Sequence, residues 1–360
     1  MERIRSFTSR KGRVAALAAV LASAAALTAC SSGSTGAPSA SGGSVAGAGY
    51  FKGKTITLIS PDSPGGSYDT YARLFAPYVG QELGATVNVE DVPAAGTLQG
   101  SNQMAGSAPN GLTIGMVNVG GDIASLVEKQ PGQNFNMAKL SWIGQPAAIP
   151  NALVTQPGSN VQTFSALLHP SGSGSVSALD IRNGIGDMLL RVIYGAFGVP
   201  YKLDTGFEAT SALKQGFLAN DGQTILEAMS TLYPLISGNE AKPLLVIGPV
   251  QVSSYSKALS GVPTLQTEES TVSLSSAQKA AVTEALSLSD LSDDFAAPAG
   301  LPPSELTTLR NAFAQAAAQP ALKAQALKES LPLSWISGAT AAGQVTTALA
   351  NSSSISPYVK

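Results

Sequence analysis

The sequence predicts an α/β fold with parallel strands, and three patterns carry that expectation. The stretch 55–75 (TITLISPDSPGGSYDTYARLF) reads as strand, glycine loop and helix. A second strand–loop–helix unit follows over 86–106, and a third strand runs into another small-residue loop over 112–121. Residues 152–250 alternate strand-like and helix-like segments again. Successive units of this kind imply parallel strands with right-handed crossovers, and their loops then fall at the carboxyl ends of the strands.

Each element has a local reason. Residues 55–60 alternate and are rich in β-branched side chains, which suits a buried strand. In 61–67 (PDSPGGS) two prolines fix φ, while Gly65 and Gly66 allow positive φ or a close backbone approach. From about Tyr68 the apolar residues Tyr71, Leu74, Phe75 and Tyr78 recur at helical spacing. Strand 86–92 alternates, loop 93–97 (PAAGT) follows, and a short helix is expected near 100–106. Strand 112–117 leads into the loop 118–121 (NVGG). Segments 140–144 and 152–155 are strand-like, with a crossing into a second lobe between them. A short helix is expected at 164–169, a strand at 175–179, a helix at 188–197, and a strand at 200–203 with its loop at 204–207. A helix at 210–219, a strand at 224–230, a helical turn at 231–236 and a strand at 244–247 complete this part. The remainder reads as helices: 276–287, 303–319, 320–330 and 338–349.

Composition sets the class. The 360 residues suffice for about two domains, and they are 44% hydrophobic and 12% charged. Arg3, Arg5, Arg10, Lys11 and Arg13 precede an apolar run at 14–29, which reads as an export signal over 1–29. Leu27-Thr28-Ala29-Cys30 resembles a lipobox, so Cys30, the only cysteine, is expected to carry lipid and anchor the protein to the outer face of the cell membrane. The stretch 31–49 is Ser, Gly and Ala with one Pro, so residues 30–53 are expected to be a flexible tether. Without residues 1–29 the chain has 16 basic and 22 acidic side chains, a balance of about −6 with no basic stripe for nucleic acid.

At this point a family is suggested. The run 61–73 (PDSPGGSYDTYAR) resembles the first loop and helix of the solute-binding proteins of tripartite tricarboxylate transporters, the Bug family. Segments 93–100 (PAAGTLQG), 108–113 (APNGLT), 150–154 (PNALV), 262–264 (VPT) and 295–300 (FAAPAG) resemble its later motifs in the right order. The resemblance implies a two-lobe type II periplasmic-binding-protein fold, with no cofactor and no metal. Lobe 1 would span 54–151 and be completed by about 252–350; lobe 2 would span 152–251. It implies a small di- or tricarboxylate or related acid as ligand, and membrane permease subunits as partners. The expected ligand-binding residues are Ser63, Gly65, Gly66, Ser67, Ala95, Gly96, Thr97, Asn118, Arg182, Gly184, Gly186 and Thr205. Their backbone N–H groups and hydroxyls suit a carboxylate, since helix starts favour negative charge.

The chain also departs from the pattern. Asp62 stands where the family has an aromatic residue, Ala94 and Thr97 replace glycines, and 179–186 (LDIRNGIG) matches poorly. Asp62, Asp180, Asp187 and Asp204 would repel a multiply charged anion unless paired, and Arg182 either offsets one of them or binds a carboxylate bidentately. Asp69 reads as a cap for its helix and Arg73 as its i,i+4 partner. Asp187 either caps a helix or leaves its N–H groups to a ligand; Thr205 is either a ligand contact or a turn. Trp142 and Trp335 read as packing. An exported hydrolase and a protein-binding lipoprotein are the rival classes. The first would have to use the single histidine, His169, which sits before a proline in a loop-like stretch.

Overall fold

The computed structural model describes residues 49–359 apart from 171–173, 251 and 292. Cys30, the export signal and most of the tether lie outside the described residues. Packing begins just ahead of the first strand: Phe51 is buried, and the Lys54 ammonium sits over the Tyr50 ring, 3.2 Å from its centroid.

Two mixed sheets organise the chain. The first half supplies β1 (Thr55–Ser60), α1 (Ser67–Leu83), β2 (Thr86–Asp91), α2 (Leu98–Ala105), β3 (Thr113–Val117), α3 (Val119–Glu128) and β4 (Ser141–Gln145). There follow β5 (Asn151–Thr155), α4 (Phe164–Leu168), β6 (Val176–Ile181), α5 (Ile185–Phe197), β7 (Tyr201–Phe207), α6 (Thr210–Leu218), β8 (Thr224–Ala228), α7 (Met229–Ser237) and β9 (Lys242–Ile247). The last third holds α8 (Ser253–Ala258), α9 (Leu265–Thr271), α10 (Ser276–Ser289), β10 (Asp294–Ala297), α11 (Pro303–Ala318), α12 (Pro320–Lys328), β11 (Ile336–Ser337), α13 (Gly338–Asn351) and α14 (Ser356–Val359). The strand order is β11-β4-β10-β3-β1-β2 in one sheet and β7-β6-β8-β5-β9 in the other. As expected, β1, β2 and β3 are parallel. In the second sheet β6, β7 and β8 run parallel, with β5 antiparallel to β8 and β9. This is the expected α/β class.

Three local expectations need correction. Residues 204–207 are not a loop but the second half of β7. It is an edge strand with alternating exposure, and a bulge lets Ile181 face both Gly206 and Phe207. Residues 119–121 are not a loop either; they open α3, because the Asn118 side chain accepts the Gly121 N–H (3.1 Å) and caps the helix. The last third is not purely helical. Residues 294–297 form β10, which inserts antiparallel between β3 and β4. Its four residues carry no alternation, since both faces are buried.

The helical register in α1 buries Tyr71, Leu74 and Phe75 against α11 and the first sheet. Phe75, Phe295, Phe313 and Trp335 form one aromatic cluster, with Phe295 and Phe313 centroids 4.7 Å apart. Trp142 is buried as well, so both tryptophans pack, as read from the sequence. Phe313 is fully buried. Replacing it with alanine should cost about 3–5 kcal/mol, read by chemical denaturation. A loss below about 1 kcal/mol would mean that the cluster is not a core. A larger apolar core runs through β3, α3, α5, α10 and α14 and joins the two sheets' layers.

Candidate functional site

The carboxyl ends of β1, β2 and β3 face those of β6, β7 and β8 across one narrow cavity of about 40 Å3. At roughly 10–15 Å3 per water, that is space for a few waters. Pro61 and Ser67 reach it from the first loop, Gly96 and Thr97 from the second, and Asn118 from the third. Opposite them lie Gly184 and Gly186 after β6, Ala209 and Thr210 after β7, and Glu227 at the end of β8. Asp293 also reaches it, because antiparallel β10 brings its beginning to the edge where β3 ends. Six helices start at its wall: α1, α2, α3, α5, α6 and α7. Three small-residue loops thus converge as the parallel units require.

The expected site residues divide into three groups. Ser67, Gly96, Thr97, Asn118, Gly184 and Gly186 line the cavity. Ala95, Arg182 and Thr205 line an adjoining outer groove of about 430 Å3, which shares Gly96 and Glu208 with it. Ser63, Gly65 and Gly66 line neither; the two glycines shape the loop itself, and Ser63 meets the opposite lobe. Gly65 has φ +81° and donates its N–H to Asp69 Oδ2 (2.8 Å). Gly66 is extended, and a Cβ there would lie 1.7 Å from the Asp62 carboxylate. Asp69 also pairs with Arg73, the cap and i,i+4 partner expected of them. Asp187 accepts from the Asn183 N–H (3.3 Å) and the Arg191 Nε–H (2.6 Å), so its carboxylate is committed to the start of α5.

The lobes touch through these loops. The Thr210 hydroxyl donates to Asp62 Oδ2 (3.1 Å), the Ser211 N–H to Ser63 Oγ (3.3 Å), and the Asn118 amide to the Asn183 carbonyl (3.3 Å). Gly96 approaches so closely that a Cβ would sit 1.9 Å from the Arg182 carbonyl oxygen. The second loop is also strained. Ala94, Ala95 and Thr97 hold φ of 152°, 53° and 84°, a region costing L-residues about 1–3 kcal/mol each. This chain carries side chains at positions 94 and 97 where the resembling motif has glycine.

Sequence reasoning weighed Asp62 only as a repulsive charge and did not include Tyr68, Glu208, Thr210, Glu227 or Asp293. The acids dominate the electrostatics. Burial pushes Asp62 upward from its usual value, and the Ser63 N–H (2.7 Å) and Thr210 hydroxyl oppose that. Burial pushes Asp293 up to about 7; the Ser67 and Tyr68 hydroxyls donate to it and oppose the rise. Glu227 is pushed up by burial and then by the Asp62 charge. An acid inside the apolar strand 224–228 (TILEA) and the doublet Asp293-Asp294 were the available signals.

The single histidine, His169, is exposed at the end of α4, as expected, and does not line the cavity. Among the described residues no group of three His, Cys, Asp or Glu is placed to hold a metal ion.

No protein-family model matches the chain. It is 25% identical over 291 residues to a UPF0065 protein of Bordetella pertussis, covering 77% of this chain and 81% of that one. It is 28% identical to BugT of the same organism over 122 residues, a third of this chain and 36% of BugT. The chain is a homologue of the Bug proteins. The fold agrees. The periplasmic binding protein BugD superposes with TM-score 0.67 at 17% identity, covering 82% of this chain and 94% of BugD. MatC of Rhodopseudomonas palustris, solved with bound malate, gives 0.69 at 15% identity, covering 84% and 99%. BugD is a periplasmic binding protein and MatC was solved with malate, and this Bug homologue shares their two-lobe architecture, as its motifs imply.

Proposed function

We propose that this Bug homologue is an exported solute-binding lipoprotein that captures a small carboxylate-bearing solute between its lobes and presents it to a tripartite tricarboxylate-type permease. One observation carries the reading: loops from both sheets close over one cavity whose wall includes the starts of six helices. Helix starts favour negative charge, and MatC, a structural neighbour, was solved with bound malate. Ser67, Gly96, Thr97, Asn118, Gly184 and Gly186 would supply the inner contacts, and Ala95, Arg182 and Thr205 the outer ones. Cys30 would hold the protein at the membrane through a lipid, with the stretch to residue 53 as a spacer.

A ligand that binds only the native state raises the melting temperature. A panel of small mono- and dicarboxylates, with and without amino groups, should contain solutes that raise it by at least about 2 °C at millimolar concentration. A flat response across that panel would sink the assignment. The Cys30→Ala variant should shift from the membrane to the soluble fraction.

A further inference from the structure

Resting on that reading, we infer that the solute carries a protonated amine, held among Asp62, Glu227 and Asp293, and balanced by no more than one carboxylate. The cavity and its charge are separate observations. The cavity exists because loops of two sheets meet. Its charge comes from acids on different elements: Asp62 before α1, Glu227 at the end of β8, Asp293 before β10, and Glu208 at the rim. Among the described residues no lysine, arginine or histidine lines it. Lys214 of α6 acts on Glu227 through space and is not part of the wall.

Several of the donors around the cavity are already engaged by the protein's own acids. Asp62 takes the Ser63 N–H and the Thr210 hydroxyl, while Asp293 takes the Ser67 and Tyr68 hydroxyls. These protein carboxylates stand where several helix N-termini would otherwise attract a ligand's anion. A second carboxylate on the solute would therefore meet acceptor oxygens, and like charge wherever one of these acids is ionised, in a dry site, which is costly. An ammonium group, with three N–H donors, would instead find acceptor oxygens on the acids that line the cavity. The Thr97 hydroxyl also lines the cavity and has no partner. A bare metal ion fits less well, because no three acids converge at ligand geometry among the described residues. The outer groove, where Arg182 lies, is the place for the one carboxylate.

The test compares matched pairs by thermal shift and calorimetry on the full chain: 4-aminobutyrate against succinate, and 5-aminopentanoate against glutarate. The aminated member of each pair should bind at least tenfold more tightly. Asp293→Asn and Glu227→Gln should each reduce that preference by at least tenfold while retaining a cooperative melt. Asp62→Asn, at a position less deeply embedded in the strands, should do the same if either of the others fails to fold. Tighter binding of succinate or glutarate would overturn this inference and leave the solute-binding reading standing. An aminated preference that survives all folded variants would overturn it too. No shift with any of the four would count against both.

Discussion

Gly96→Val is expected to lower affinity for any solute that stabilises the wild-type protein by at least a hundredfold, without unfolding it. The cause is a backbone obstacle. A Cβ at 96 would lie 1.9 Å from the Arg182 carbonyl oxygen and 2.9 Å from the Asn183 Cβ, both on the opposite lobe. Neither is the far end of a flexible side chain, so the lobes have to separate. The hydrogen bonds between Thr210 and Asp62 and between Ser211 and Ser63 would lengthen with them. Gly96 also has φ +62°, so valine adds about 1–2 kcal/mol of backbone strain. A control separates the two effects. Gly65 has φ +81°, but nothing lies within 4 Å of its Cβ position. Gly65→Ala should therefore cost similar stability and leave affinity nearly unchanged. Small-angle scattering should show Gly96→Val more extended than wild type in the presence of solute. Wild-type affinity in Gly96→Val would show that this contact does not govern closure.

The contrast between these two glycines shows what sequence can and cannot give. Turn chemistry is local, so the loop 61–67 and the positive φ at Gly65 were legible from prolines and glycines alone. The strand Thr55–Ser60 was legible because its alternation is strong, and α1 because its apolar spacing is helical. What Gly96 touches was not legible, since Arg182 belongs to another lobe and no pattern near 96 records it. β10 was missed for a related reason. A four-residue strand buried on both faces has no period, and only its neighbours β3 and β4 define it. β7 was cut short because Asp204 and Gly206 look like a turn; an edge strand tolerates both, since one of its faces meets solvent. The acids of the site come from two loops and a strand far apart in sequence; an acid within an apolar strand and an acidic doublet are visible locally, but not the cavity that they share.

Those acids make the second large effect one of pH. The Asp293 carboxyl rises from 3.8 to about 7, chiefly through burial, and Glu227, Asp62, Asp180 and Asp294 are all raised with burial as the first cause. A raised carboxyl means that the folded protein holds a proton which the unfolded chain has released. Between the unfolded value near 4 and the folded value, the native state therefore binds more protons, and stability falls as pH rises. Its contribution is complete below about pH 4 and gone above about pH 7. For Asp293 alone the fall is on the order of 4 kcal/mol. Calorimetric unfolding without solute should give a melting temperature several degrees lower at pH 8 than at pH 5. Asp293→Asn cannot ionise at this position, so the gap between variant and wild type should move in the variant's favour from pH 5 to pH 8. If that gap stays constant, Asp293 is not held protonated by its surroundings. The same burial gives an incoming ammonium its leverage: it restores to these carboxylates the counter-charge that folding removed with the water.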